Sequence, residues 1–121
     1  MNANKMTQRS LEALQTAQGF VTEYQNNAIG QLHLMTALLQ EDNGLIPQLL
    51  EKMGVDPVSA KQYLYTQLSS LPKVYGSNAR SADSVYVSPE CDRAMNSAEK
   101  TAEQMKDEYV SVEHIFLGLL N

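Results

Sequence analysis

The sequence predicts an all-α fold: one helical unit present twice, its copies related by a pseudo-twofold rotation, with the second copy cut short. Three observations lead there. The chain repeats itself at a fixed offset, its apolar residues step at three or four positions, and a strand-like alternation is almost absent.

The offset is plainest near the end. Ile29 to Leu39 reads I-G-Q-L-H-L-M-T-A-L-L, and Val110 to Leu120 reads V-S-V-E-H-I-F-L-G-L-L. His33 and His114 stand 81 residues apart (114 − 33). In that register Leu34 meets Ile115, Met35 meets Phe116, Ala37 meets Gly118, and Leu38-Leu39 meet Leu119-Leu120. Without a gap it runs back through Ala17 and Ala98, Thr16 and Ser97, Leu14 and Met95, Ala13 and Ala94, to Thr7 and Ser88. Small residues stand opposite small ones, as a duplicated packing scheme requires.

Each element follows in order. Thr7 is placed to cap a first helix whose apolar face is Leu11, Leu14, Ala17, Gln18 and Val21. Ala13 and Ala17 allow a close neighbour. Gln25-Asn26-Asn27 interrupts the pattern. Gly30 precedes a second helix with Leu32, Met35, Leu38 and Leu39 inward, and Asp42-Asn43-Gly44 signals a turn. A short third helix buries Ile46, Leu49, Leu50 and Met53, and Gly54 suits its left-handed stop. Asp56-Pro57 opens a fourth, the acid as cap and the proline in a first turn where its missing N–H costs nothing. Leu64, Leu68 and Leu71 face inward there, and Pro72 ends the helix. Lys73 to Val87 is the least regular stretch, with a linker at Gly76-Ser77-Asn78-Ala79-Arg80-Ser81 and a short extended piece at Val85-Tyr86-Val87. Ser88-Pro89-Glu90 starts a fifth helix running to about Lys106, with Cys91, Met95, Ala98, Ala102 and Met105 on one stripe. Ser111 caps a sixth helix and Glu113 sits in its first turn.

The resulting division is a first repeat at 1–72, a linker at 73–87 and a truncated second repeat at 88–121. The copy of Leu71 would stand at position 152, which is 31 residues beyond Asn121 (152 − 121). Ile115, Phe116, Leu119 and Leu120 are therefore expected to lack part of their cover. Wet apolar surface forfeits about 25 cal/mol per Å², so a second chain or an exchanged segment is expected over it, as a dimer or segment exchange.

Composition narrows the function. The 121 residues are 43% hydrophobic, enough for one domain with a modest core. Nine basic residues against fourteen acidic ones give a formal charge of −5, and the basic residues form no run, which argues against binding a phosphate backbone. The lone Cys91 forms no intrachain disulfide, and a reducing compartment is the simpler reading. Met1 to Met6 is polar, and no apolar run approaches the roughly 20 residues of a membrane helix. A soluble cytoplasmic protein, without nucleic-acid or membrane contact, is expected. No glycine stands five residues before a Gly-Lys pair, so the chain is expected neither to bind nor to hydrolyse ATP. His33 and His114 occupy equivalent places on equivalent helices, as a repeated structural hydrogen bond would put them, and no metal site is expected. Ser88 and Ser111 read as caps rather than nucleophiles.

Y-V-S-P-E-C at 86–91, D-E-Y-V-S-V-E-H-I-F-L-G-L-L at 107–120, L-H-L-M-T-A-L-L-Q at 32–40 and T-Q-R-S-L-E-A-L at 7–14 together resemble the Clp repeat (R) N-terminal domain. That domain heads the hexameric AAA+ unfoldases. N-K-M-T-Q-R-S-L-E-A-L-Q at the start, L-L-E-K-M-G-V-D-P and L-P-K-V-Y-G make it most similar to the ClpB, or disaggregase, type, with ClpC and ClpA next. The resemblance implies a non-catalytic domain that engages unfolded or aggregated polypeptide for delivery to the ring, or, in the ClpC and ClpA types, docks adaptor proteins. ATP and magnesium would belong to other modules of such a parent, and this chain carries no cofactor. Thr7, Asp107 and Glu113 match family positions linked to substrate handling. Each also has a plainer reading: a helix cap worth roughly 1 kcal/mol for Thr7, a turn acid for Asp107, and a favourable charge at a helix N-terminus for Glu113. Leu11, Val85, Tyr86 and Met95 are candidates for an apolar groove between the halves, or else plain core. A shallow apolar groove with methionine suits clients that share no sequence. Binding by apolar contact is expected to be weak and salt-tolerant.

Overall fold

The helices begin and end where short-range chemistry places them, and the same chemistry appears twice. The computed structural model describes residues 3–40, 44–73 and 87–120. After a 3-10 turn at Ala3–Lys5 come α1 (Gln8–Glu23), α2 (Gln31–Leu38), α3 (Leu45–Lys52), α4 (Pro57–Ser69), α5 (Pro89–Gln104) and α6 (Val112–Leu120). Among the described residues there is no β-strand, only two isolated parallel bridges.

Shifted by 81, α1 becomes α5 residue for residue, each of 16 residues. The Thr7 side chain accepts the Ser10 N–H, and the Ser88 side chain accepts the Cys91 N–H. At the other end Gln25 (φ 57°) and Lys106 (φ 60°) both turn left-handed. The closing bonds then coincide: Asn26 N–H to Val21 C=O and Asp107 N–H to Ala102 C=O, both 2.9 Å. Such a closure satisfies the carbonyls that a helix end leaves free.

The halves hold each other by a reciprocal exchange. Thr7 N–H donates to Val110 C=O at 3.1 Å, and Ser88 N–H donates to Ile29 C=O at 2.9 Å. Met6 bridges Val110, and Val87 bridges Ile29. Exchanging the two halves turns each member of these pairs into the other. A translational repeat would instead carry Val110 onward, away from Ile29. A twofold relation is the arrangement that closes on itself.

The α1–α2 and α5–α6 hairpins pack together chiefly through α2 and α6, α3 lies against α6, and α4 lies across α2. The core contains Ile29, Leu34, Leu38, Leu39, Ile46, Leu64, Met95, Ile115 and Phe116. Gly118 lets α6 approach α5 closely: a Cβ built there would lie 2.4 Å from the Ala94 carbonyl oxygen.

Several sequence expectations are corrected. The buried face of α1 is Ser10, Ala13, Ala17, Phe20 and Val21, while Leu11 and Leu14 are only half-buried. Small side chains win the interior because they permit close helix approach, and Ser10 is drawn in by its Oγ–H bond to Val110 C=O at 2.9 Å. Around α2, His33, Leu34, Thr36 and Ala37 are buried with Leu38, since helices cover it on several sides, whereas Leu32 and Met35 are half-buried. Met53 caps α3 and is exposed, and Met105 caps α5 and is exposed, because each lies past its helix's last inward position. The fifth helix ends at Gln104 rather than near Lys106, where the left-handed turn intervenes. Ile115 and Phe116 do not lack cover; the first half's own α2 and α3 pack on α6. Leu119 is half-buried, and Leu117 and Leu120 are the exposed apolar residues of that helix. Asp42, Asn43 and the stretch Gly76 to Ser81 lie outside the described residues.

Candidate functional site

The two loops that join paired helices, after α1 and after α5, are built on one histidine motif used twice. Gly30 N–H donates to His33 Nδ1 at 2.9 Å, and Ser111 N–H donates to His114 Nδ1 at 2.9 Å. A ring nitrogen that accepts an N–H carries no proton, so in the neutral imidazole the proton sits on Nε2. His33 Nε2 donates to Asn26 Oδ1 at 2.8 Å, and His114 Nε2 donates to Asp107 Oδ2 at 2.9 Å. Each histidine thereby ties its helix start to the loop seven residues earlier. The expected repeated structural hydrogen bond is present, and its partners Asn26 and Asp107 were the unread part. They stand 81 apart (107 − 26), so the repeat itself was the signal. Burial pushes His33 down to about 4, which keeps it neutral near pH 7.

Beyond this motif the loops differ. Buried Asn26 donates from Nδ2 to Pro72 C=O at 3.1 Å, so the end of the α4 segment sits on the first loop. The Asp107 side chain is 47% exposed, with Oδ2 held by His114. It shares a hollow of about 350 Å³ with Met105, Glu108, Tyr109, Ser111, Glu113, His114 and Leu117. Three of these are acidic and three are exposed apolar residues: Met105 58%, Tyr109 50% and Leu117 45%.

Thr7 adjoins this region through the seam. Its N–H bonds Val110 C=O, which also accepts from Ser10 Oγ, and Val110 N–H donates to Lys5 C=O at 2.7 Å. Its hydroxyl donates to Ser10 Oγ at 3.0 Å while capping α1. Asp107 and Glu113 thus line one hollow, while Thr7 touches Val110 at the near end of that loop without lining the hollow itself. The apolar candidates are not part of that group. Met95 is 1% exposed in the core, because its helix packs chiefly on α6 and also meets α2, and Leu11 is half-buried against the core without lining the hollow. Val85 and Tyr86 lie outside the described residues. Met105, Tyr109 and Leu117 supply the apolar lining that sequence reasoning assigned elsewhere, since exposure does not follow from helical spacing alone.

Among the described residues no three His, Cys, Asp or Glu side chains are grouped to hold a metal ion. Among them, too, no helix is long and apolar enough to cross a membrane. Cys91 is buried, and burial with the charge of Asp92 pushes its thiol up to about 11, away from nucleophilic use.

Comparison with known proteins gives a consistent result. The family model described as the Clp repeat (R) N-terminal domain matches residues 5–121. The chaperone protein ClpB of Clostridium perfringens is 36% identical over 121 residues, covering 100% of this chain and 14% of that protein. ClpB of Nitratidesulfovibrio vulgaris is 37% identical over 120 residues, covering 99% and 14%. The chain therefore spans about one seventh of these relatives. Among solved structures, the Hsp104 N-terminal domain of Candida albicans superposes with a TM-score of 0.83 at 20% identity, covering 97% of this chain and 74% of that one. The N-domain of ClpV from Vibrio cholerae gives 0.77 at 18% identity, covering 97% and 67%. At such identities these structures speak for the fold alone.

Proposed function

The chain belongs to the Clp repeat (R) N-terminal domain family, and from that premise we propose that it is a non-catalytic polypeptide-binding domain of a ClpB-type disaggregase. It engages unfolded or aggregated chains and hands them to an AAA+ ring. The observation that carries this reading is the 36% identity to ClpB running through the whole chain. Asp107 and Glu113 in the hollow, and Thr7 at the neighbouring seam, are the residues we assign to client contact, with apolar support from Met105, Tyr109 and Leu117. Leu11, Val85 and Tyr86 are kept as candidates for further apolar client contact. The two repeats divide at the 73–87 linker.

Exposed apolar side chains beside hydrogen-bonding groups suit segments that have lost their own fold. Such contacts are individually weak, and a hexameric parent would multiply them by avidity. ATP and magnesium belong to ring modules of that parent, and a reducing cytoplasm suits the free Cys91. Self-association of the chain, through the apolar residues left open on α6, is part of the same reading. Adaptor proteins are the other partner class suggested by the family.

The test is titration of the chain with a permanently unfolded model protein, followed by fluorescence anisotropy, with circular dichroism verifying the helices. Saturable binding at micromolar concentration is expected. A folded chain that binds nothing at high micromolar concentration refutes the proposal. Pull-down against aggregates and against adaptor proteins separates the two partner classes.

A further inference from the structure

The outer side of α4 is short of charge. From Gln62 to Pro72 there is no Asp, Glu, Lys or Arg. Yet Ser59, Gln62, Tyr63, Thr66 and Ser70 along it are exposed, while Leu64 and Leu68 are buried beneath. A helix face in water is ordinarily charged, and α5 carries Glu90, Asp92, Arg93, Glu99, Lys100 and Glu103. The hydroxyls on α4 are also spent within the helix and its cap. Ser59 donates to Asp56 Oδ2 at 2.8 Å, Thr66 to Gln62 C=O at 3.0 Å, Ser69 to Tyr65 C=O at 3.1 Å and Ser70 to Thr66 C=O at 3.1 Å. A second surface laid over them strands no hydroxyl donor, which is the usual cost of burying polar groups. Val58, 62% exposed, and Tyr63, 63% exposed, add apolar area beside them.

The order of residues along this face complements itself. Two copies of α4 laid antiparallel, with a twofold axis level with the Leu64–Tyr65 step, set Ser59 against Ser70, Gln62 against Gln67 and Tyr63 against Thr66, each pair occurring twice. Small meets small, the ring meets a short side chain, and each amide offers its partner both donor and acceptor. The same register brings Asp56, at the start of one helix, toward Lys73, just past the end of the other. Asp56 borders a hollow of about 440 Å³ with Glu51, Val58 and Lys61, where the partner's Leu71 to Lys73 would arrive. Lys73 Nζ donates to Tyr24 C=O at 3.0 Å, and an ammonium has three donors, so it can still meet a carboxylate. Contact through the second half is opposed by charge. Seven of the fourteen acidic residues lie between Glu90 and Glu113, against the three bases Arg93, Lys100 and Lys106.

We propose that two copies of this chain associate weakly, α4 against α4, across that twofold axis. The occupant is a second copy because a face that complements itself is what an isologous contact requires. The proposal goes beyond polypeptide binding and does not depend on it, since the hollow around Asp107 stays open. A helix of 13 residues is about 20 Å long, so one crossing pair buries well under the roughly 1,200 Å² of a stable complex. The dissociation constant is therefore expected on the order of 0.1–1 mM. Copies tethered in one ring would stand at about millimolar effective concentration, where such a contact is populated.

The test is sedimentation equilibrium of the chain from about 10 μM to about 1 mM, where the mass should rise from one chain toward two. Tyr63→Glu sets two carboxylates beside the axis and should weaken association about tenfold or more, with circular dichroism verifying that the exposed substitution leaves the helices intact. Leu120→Glu, on the open side of α6, should leave it unchanged. Register is read by cross-linking, since Cys91 is buried. Ser59→Cys and Ser70→Cys chains, oxidised as a mixture, should join to each other faster than either joins to itself. A chain that stays monomeric to about 1 mM overturns the proposal, as does a dimer that Leu120→Glu abolishes and Tyr63→Glu spares, or cross-linking without preference for the mixed pair. Amide shifts on α4 that follow added unfolded model protein but not the chain's own concentration would make this face a client surface and overturn it too. The first three of these results leave polypeptide binding at the Asp107 hollow standing.

Discussion

Replacing Gly118 with alanine should destabilise the chain, and the structure gives the size. A Cβ at Gly118 would lie 2.4 Å from the Ala94 carbonyl oxygen and 3.3 Å from both the Ala94 carbonyl carbon and the Ala98 nitrogen. All three are backbone atoms of α5, so no side chain can swing away. α5 and α6 must separate, and the shift passes to buried Ile115, Phe116 and Met95. Overpacking of this kind costs about 1–3 kcal/mol. Alanine returns up to about 1 kcal/mol through helix propensity. Because the clash is with backbone, the upper part of that range, about 2–3 kcal/mol, applies, and the net expectation is a loss of about 1–2 kcal/mol, or roughly 4–8 °C in Tm for a domain of this size. Gly19→Ala is the internal control: Gly19 is exposed, and a Cβ there meets nothing within 4 Å, so only the propensity gain remains. Urea unfolding followed by circular dichroism should move the two midpoints in opposite directions. A Gly118→Ala chain as stable as its parent would refute the close α5–α6 approach.

Three further outcomes are expected. Burial holds folded His33 at about 4 against an ordinary 6.5, so the unfolded chain takes up a proton first as pH falls. The associated stability is complete above about pH 6.5 and fades toward pH 4, by about 3 kcal/mol. Unfolding free energies measured across that range should show this slope, and His33→Gln should flatten it. Thr7→Ala removes the cap on Ser10 N–H and should cost about 1 kcal/mol; if client binding also falls at a concentration where the variant is fully folded, Thr7 acts beyond its cap. Cys91 should resist a thiol reagent at pH 8 in the folded chain and react once urea unfolds it; prompt labelling of the native chain would contradict its burial.

The duplication carried most of what the sequence could disclose. Thr7 and Ser88, Asp56-Pro57 and Gly54 place helix ends because capping is local chemistry that one or two residues decide. Burial was less legible. Leu11 and Leu14 look like the core face of α1, yet Ser10, Ala13 and Ala17 occupy it, because helix separation selects for small residues and spacing alone does not reveal separation. The reciprocal bonds of Thr7 to Val110 and Ser88 to Ile29 were not readable either, since each joins residues from opposite halves. At the candidate site the family motif supplied Thr7, Asp107 and Glu113. The exposed Met105, Tyr109 and Leu117 emerged only once the two loops could be set side by side.

The account turns on the hollow beside the seam receiving the client. Two-dimensional amide NMR, with the unfolded model protein titrated into the labelled chain, tests that most directly. Shifts should concentrate on Thr7 and on the run from Met105 to Leu117, with Asn26 to Gln31 of the first loop unmoved. Shifts confined to the exposed side of α3 and α4, around Met53, Val58 and Tyr63, would contradict it.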